Sequence, residues 1–133
     1  MTEDIGKLVL RLSLGILVLL HGIAKLQHGV EGIAGMLASH GLPTVLAYGV
    51  YLGEIVGPVL LVIGLFTRIG ALLIVGNMVV AFALAHMQQI FSLNSSTGGW
   101  ALELQGLYLS GAIAVALLGA GAYSVGGRNG RYN

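Results

Sequence analysis

TVLAYGVYLGEIVGPVLLVIGLFTRIGALLIVGNMVVAFALAHMQ (44–88) holds two formal charges, Glu54 and Arg68, and otherwise runs through aliphatic and small residues with few polar interruptions. On either side of Thr67 and Arg68 the run reaches about the 20 apolar residues a helix needs to cross hydrocarbon. Strands of a lipid-facing barrel would alternate polar and apolar side chains, which this stretch does not do. It therefore reads as two membrane-crossing helices, 44–66 and 69–88, with Pro43 at the start of the first and a tight hairpin at Thr67 and Arg68.

Working outward, two more apolar runs of similar length flank this pair, at about 5–25 and 101–123. The expectation is a single all-α domain over 1–133, an integral membrane four-helix bundle. In the first connection, HGVEGIAGMLASHGLP (28–43), the residues Val30, Ile33, Ala34 and Leu37 recur at helical spacing. They predict a short helix over about 30–39 lying in the membrane interface. QQIFSLNSSTGGW (88–100) reads as a polar loop whose Trp100 anchors an interface.

Composition agrees. Apolar residues make up 56% of the chain and charged residues 8%, and the mean hydropathy is +0.93. A water-facing shell takes roughly a quarter of the residues as charges, so lipid is the expected exterior. The absence of cysteine removes disulfides, thiolate metal sites and iron–sulfur clusters, and no metal site is expected. A net charge of +1 gives no electrostatic reason for a nucleic-acid partner. The first apolar run does not read as a cleaved leader, because Glu3 and Asp4 precede it and Arg11 interrupts it.

An even number of spans places both termini on one side. That side carries Lys7, Arg68, Arg128 and Arg131, with Arg11 if it snorkels; the other carries Lys25. The positive-inside rule makes the termini cytoplasmic and the 26–43 and 89–100 loops external. Small-residue stripes predict close helix contacts: Gly49, Gly53 and Gly57 in span two, Gly106, Ser110 and Ala114 in span four, Gly15 and Gly22 in span one. Any of these stripes also suits a homo-oligomer contact.

Ionisable groups inside a span are costly and mark candidate sites. Glu54 sits mid-span, too deep to reach either headgroup layer, and is a candidate proton carrier or ligand partner. The structural alternative is a protonated carboxyl bonded within the bundle. Pro58, four residues on, cannot donate to the Glu54 carbonyl, so a kink with a free acceptor is expected there. Arg11, Val18 and Lys25 are seven apart, with His21 on the same face, and this stripe should turn inward. Snorkelling for Arg11 and interfacial anchoring for Lys25 are the plainer roles. His21 is a candidate proton relay or carbonyl donor, against a purely structural hydrogen bond. Tyr51 lies one turn before Glu54, Asn77 lies mid-span in the third helix, and Glu103 opens the fourth, where an acid also suits a helix N-terminus. The candidate ligand-binding set is thus Arg11, His21, Lys25, Tyr51, Glu54, Asn77 and Glu103, with Glu54 and His21 the candidate catalytic groups. A bis-histidine haem between His21 and His86 is a further arrangement; it requires both rings in one cavity, and no c-type attachment motif is present.

LRLSLGILVLLHGIAKL (10–26), GLP (41–43), GEIVGPVLLVIGLFTRIGA (53–71), GGWALELQGLYLS (98–110) and GAGAYSV (119–125) together resemble the DoxX family of small bacterial membrane proteins. The family usually has an aspartate soon after the serine of the last motif, whereas here Val125, Gly126 and Gly127 follow Ser124. The resemblance implies a four-helix fold in the bacterial cytoplasmic (inner) membrane. It also implies an association with quinone-linked oxidation, including thiosulfate:quinone oxidoreductase systems, and with membrane complexes that handle oxidative stress.

Two functions follow. One is a quinone- or quinol-binding subunit of a membrane oxidoreductase, with His21 or Lys25 donating to a carbonyl and Glu54 exchanging protons. Lacking cysteines and a flavin motif, such a subunit needs a soluble or membrane redox partner to hold the electron carrier. The other is a non-catalytic scaffold or small-solute binding or transport module. Orientation is testable directly, because the chain is free of cysteine. A cysteine placed at Ser95 is expected to react with an impermeant thiol reagent from outside the cell; labelling only after lysis would reverse the topology.

Overall fold

The computed structural model describes residues 2–29, 31–85 and 103–133, and among them it contains helix and no strand. Helix α1 runs Thr2–His28, with Glu3 and Asp4 in its first turn, where acids offset the exposed N–H groups. A short helix, α2 (Glu31–Ser39), follows. The next span is irregular. A 3-10 turn (Thr44–Gly49) leads into a π-helical turn (Leu52–Val56), and only then into regular helix α3 (Gly57–Ile63). Helices α4 (Thr67–Ala85) and α5 (Glu103–Leu118) complete the set.

Helix α1 packs on α3, on the π turn and on α5, while α4 packs on α3 and α5. The buried centre takes Leu14 and Val18 from α1, Leu61 from α3, Ile74 and Met78 from α4, and Tyr108 and Val115 from α5. A second, smaller cluster joins α2 to the 3-10 turn through Leu37, Ala47 and Val50, with Tyr51 against it. Outward faces are also apolar: Val9, Leu20, Leu72, Leu107 and Leu117 are all exposed. Apolar faces of that kind on every long helix suit hydrocarbon better than water. Two segments, Thr2–Gln27 and Val45–Ile63, are long and apolar enough to cross a membrane, and Thr67–Ala81 and Gly106–Leu118 are shorter apolar helices.

Two boundaries differ from the sequence reading. The turn expected at Thr67 and Arg68 falls instead on residues 64–66, and Thr67 opens α4. Gly64 ends α3 by taking the left-handed conformation (φ 75°) that glycine adopts without a steric penalty. Asn133 then caps α4 from the far end of the chain: its Oδ1 accepts from the Thr67 N–H (3.1 Å) and the Thr67 hydroxyl (2.7 Å). The span expected over 101–123 stops at Leu118, because Gly119 and Gly121 (φ 82° each) turn the chain back across the end of the molecule. The small-residue stripes also divide. Gly53 and Gly57 face α4, Gly15 meets Val62, Gly22 meets the Glu54 carbonyl, and Gly49 has open space beside it. Ser110 is exposed and donates back to the Gly106 carbonyl. The expected loop over 89–100, with Trp100, lies outside the described residues.

Arg11 holds this end together. Its guanidinium is buried and donates to the carbonyls of Leu61 (2.6 Å), Val62 (3.4 Å), Ala120 (3.2 Å) and Tyr123 (2.5 Å). These groups lie at the last turn of α3 and just beyond α5, where helix carbonyls lack intrahelical partners and partial negative charge collects. Arg68 does the same for α5, donating to the carbonyls of Ala116 (3.0 Å) and Leu117 (3.1 Å). The first turn of α1 joins in: Asp4 pairs with Arg128 and accepts from the Ala122 N–H at 3.1 Å. The two ends of the described chain therefore meet at one end of the molecule.

Replacing Arg11 by Leu should strand these carbonyls in an apolar surrounding and cost about 2–4 kcal/mol. A thermal midpoint in mild detergent unchanged from the parent would contradict that role. Asp4 lies ahead of the apolar stretch that begins at Ile5, and its hydrogen bonds from Arg128 and the Ala122 N–H hold its carboxyl below the usual range. Since the folded value is the lower one, the clasp contributes fully above the usual carboxylate range and is lost as pH falls through the folded value. Acidification should loosen residues 119–133 first, read as a fall in amide protection there once the intrinsic pH dependence of exchange is divided out. Asp4→Asn should show fast exchange at neutral pH and little further change on acidification.

Candidate functional site

Pro58 decides the local geometry. It lacks the N–H that would reach the Glu54 carbonyl in an α-helix, and its ring crowds that carbonyl. The chain responds by widening to the π turn, in which the Gly57 N–H donates to the Leu52 carbonyl, five residues back. The bend expected from the proline takes this form. Glu54 lies on the π turn and is buried, 5% exposed.

Opposite it, α1 presents Gly22 and Lys25. Gly22 rests against the Glu54 main-chain carbonyl so closely that an added Cβ would collide with it. This approach brings the Lys25 ammonium onto both carboxylate oxygens, at 2.7 Å from Oε1 and 2.5 Å from Oε2. Tyr51, one turn before Glu54, donates its hydroxyl to the Lys25 carbonyl at 3.2 Å. On the other side, Asn77 of α4 packs directly against Gly53. Four of the expected residues, Lys25, Tyr51, Glu54 and Asn77, thus gather around the π turn.

His21, one turn before Lys25 on α1, lies on the exposed side of the helix, and its Nε2 is 3.3 Å from the hydroxyl of Tyr108 on α5. The two rings meet edge to face, with centroids 5.6 Å apart. Tyr108 is buried and absent from the candidate set. A lone tyrosine in an apolar span looks like core, and its partner is 87 positions away. Arg11 belongs elsewhere: it and Val18 do turn inward, but its donors are taken by the carbonyls at the opposite end. The Glu103 side chain and His86 lie outside the described residues, and with His86 so does the haem arrangement.

Chemically, the site is a buried carboxylate held against a partly exposed ammonium. Such a pair is costly to break from the lysine side, because the carboxylate keeps its desolvation penalty without its partner. The Tyr51 phenol stands beside it and the His21 imidazole one turn back along α1, and both types of group can donate to a carbonyl.

Described residues that form helices and no strand, with apolar outer faces and a buried, ion-paired carboxylate on a broken helix, have the character of a membrane protein. Residues 6–87 match the DoxX family, and the chain belongs to this family of membrane proteins. A Bacillus subtilis (strain 168) protein named "Putative oxidoreductase CatD" is 34% identical over 117 residues, covering 88% of this chain and 81% of that protein. No solved structure matches the chain.

Lys25→Met should destabilise the protein by about 3 kcal/mol, since Glu54 is left buried and unpaired, and Lys25→Met with Glu54→Leu should recover most of it. Chemical unfolding in detergent of the single and double variants measures this. A double variant as unstable as the single one would show that the pair is not the source.

Proposed function

We propose that the chain is a four-span protein of the bacterial cytoplasmic membrane, with both termini inside. In this reading it binds a quinone or quinol as a subunit of a membrane oxidoreductase or oxidative-stress complex. The observation that carries this reading is the buried Glu54 on the π turn, paired with Lys25 of α1, within a segment apolar enough to span. Quinone chemistry couples electrons to protons, so its pocket needs a donor for a carbonyl and a group that exchanges protons. Lys25 and His21 supply donors, and Glu54 supplies the exchanging carboxylate. The name carried by the Bacillus subtilis relative is that of an oxidoreductase, which supports the redox setting. A partner protein would hold the electron carrier.

A second reading, a small-solute binding or transport module, draws on the broken second span. Interrupted helices with polar groups at the break commonly hold transported solutes.

The test is purification in mild detergent followed by mass spectrometry of the extracted lipids. Quinone should co-purify with the parent protein and be lost from Glu54→Gln and reduced in His21→Ala. Failure to retain quinone even when it is supplied in excess would remove the first reading and leave the second.

A further inference from the structure

His21 poses a problem that the ion pair does not. Lys25 and Glu54 satisfy one another, whereas His21 is an ionisable ring on the exposed side of α1, one turn inside the expected membrane boundary. An exposed imidazole on a hydrocarbon-facing helix is costly unless something polar meets it. Its hydrogen-bond partner among the described residues is the Tyr108 hydroxyl, reached through Nε2.

That bond has a consequence for the other nitrogen. A phenol is a good donor and neutral imidazole a good acceptor. If the Tyr108 O–H donates to Nε2, the ring carries its proton on Nδ1. Nδ1 is then a donor on an exposed residue beside the contact between α1 and α5. Tyr108 itself is buried, so the two side chains bridge from the interior to the outer face of the helix pair.

We propose that Tyr108 is a positioning residue that fixes His21 as the Nδ1–H tautomer, and that this N–H takes one carbonyl of a quinone entering sideways from the bilayer at the α1–α5 seam. The proposal rests on the quinone reading and adds three things to it: the route of entry, the donor atom, and a residue that sets the donor. A phospholipid ester carbonyl offers similar acceptor chemistry, and displacement by added quinone distinguishes the two sources.

The experiment combines two readouts on full-length protein in lipid nanodiscs, with ubiquinone and menaquinone each added as probe. Nitrogen-15 NMR of labelled histidine distinguishes the tautomers, and quinone titration gives the affinity. Wild-type His21 should report Nδ1–H. Tyr108→Phe should turn this into a mixture and weaken quinone binding severalfold, in proportion to the fraction of rings left as Nδ1–H. A thermal midpoint close to the parent's shows that the variant still folds. An Nε2–H tautomer in the wild type, or undiminished quinone binding in Tyr108→Phe, overturns the proposal and leaves the quinone reading standing. Quinone bound by neither protein overturns both. Phospholipid that resists exchange at His21 while quinone fails to displace it assigns the seam to lipid and overturns the proposal.

Discussion

The described structure depends most on a cation placed where two helices end. Arg11 lies in the first half of α1, yet its donors are spent at the close of α3 and in the turn after α5. In hydrocarbon a helix end must find partners for its last carbonyls, because no water is there to supply them. One guanidinium, with its fixed fork of five N–H donors, serves two such ends at once and binds them to α1. Arg68 repeats the arrangement for α5, and Asn133 supplies the converse at the N-terminus of α4. This end is therefore a polar plate of arginines, carbonyls and glycine turns.

With that end closed, the opposite half of the molecule is free to be irregular. The second span begins as a 3-10 turn, widens to a π turn and becomes regular only from Gly57. Irregular backbone at membrane depth is tolerated where it is buried in protein or lines a cavity. Here Gly22 and Gly53 provide the close contacts that cover it, one beneath the Glu54 carbonyl and the other against Asn77. Burial strengthens the attraction between Lys25 and Glu54 while making either charge expensive alone.

The residues that gather around the π turn were legible to different degrees. Glu54 and Pro58 stand out because a carboxylate and a missing N–H are conspicuous in an apolar run, and their separation of four places the conflict within one turn. Lys25 looked like an interfacial anchor, and only the approach of α1 at Gly22 turns it onto the carboxylate. Arg11 misled for the opposite reason. Its alignment with Val18 and Lys25 is real, but a helix face running the length of a span serves two ends, and alignment does not say which end a side chain serves. Tyr108 left no trace, since an aromatic in an apolar span has the pattern of core.

What the sequence determined alone was the solvent, the helical class and the position of the defect in the second span. Composition, the length of apolar runs and a single proline are local quantities, and the physics that reads them is local too. The tertiary structure decided the pairings. Arg11 meets Ala120 across 109 positions, His21 meets Tyr108 across 87, and Thr67 meets Asn133 across 66. No periodicity encodes such separations. They follow from the order in which the helices pack and from glycines that let two backbones come close enough for a side chain on one to reach a main-chain group on the other.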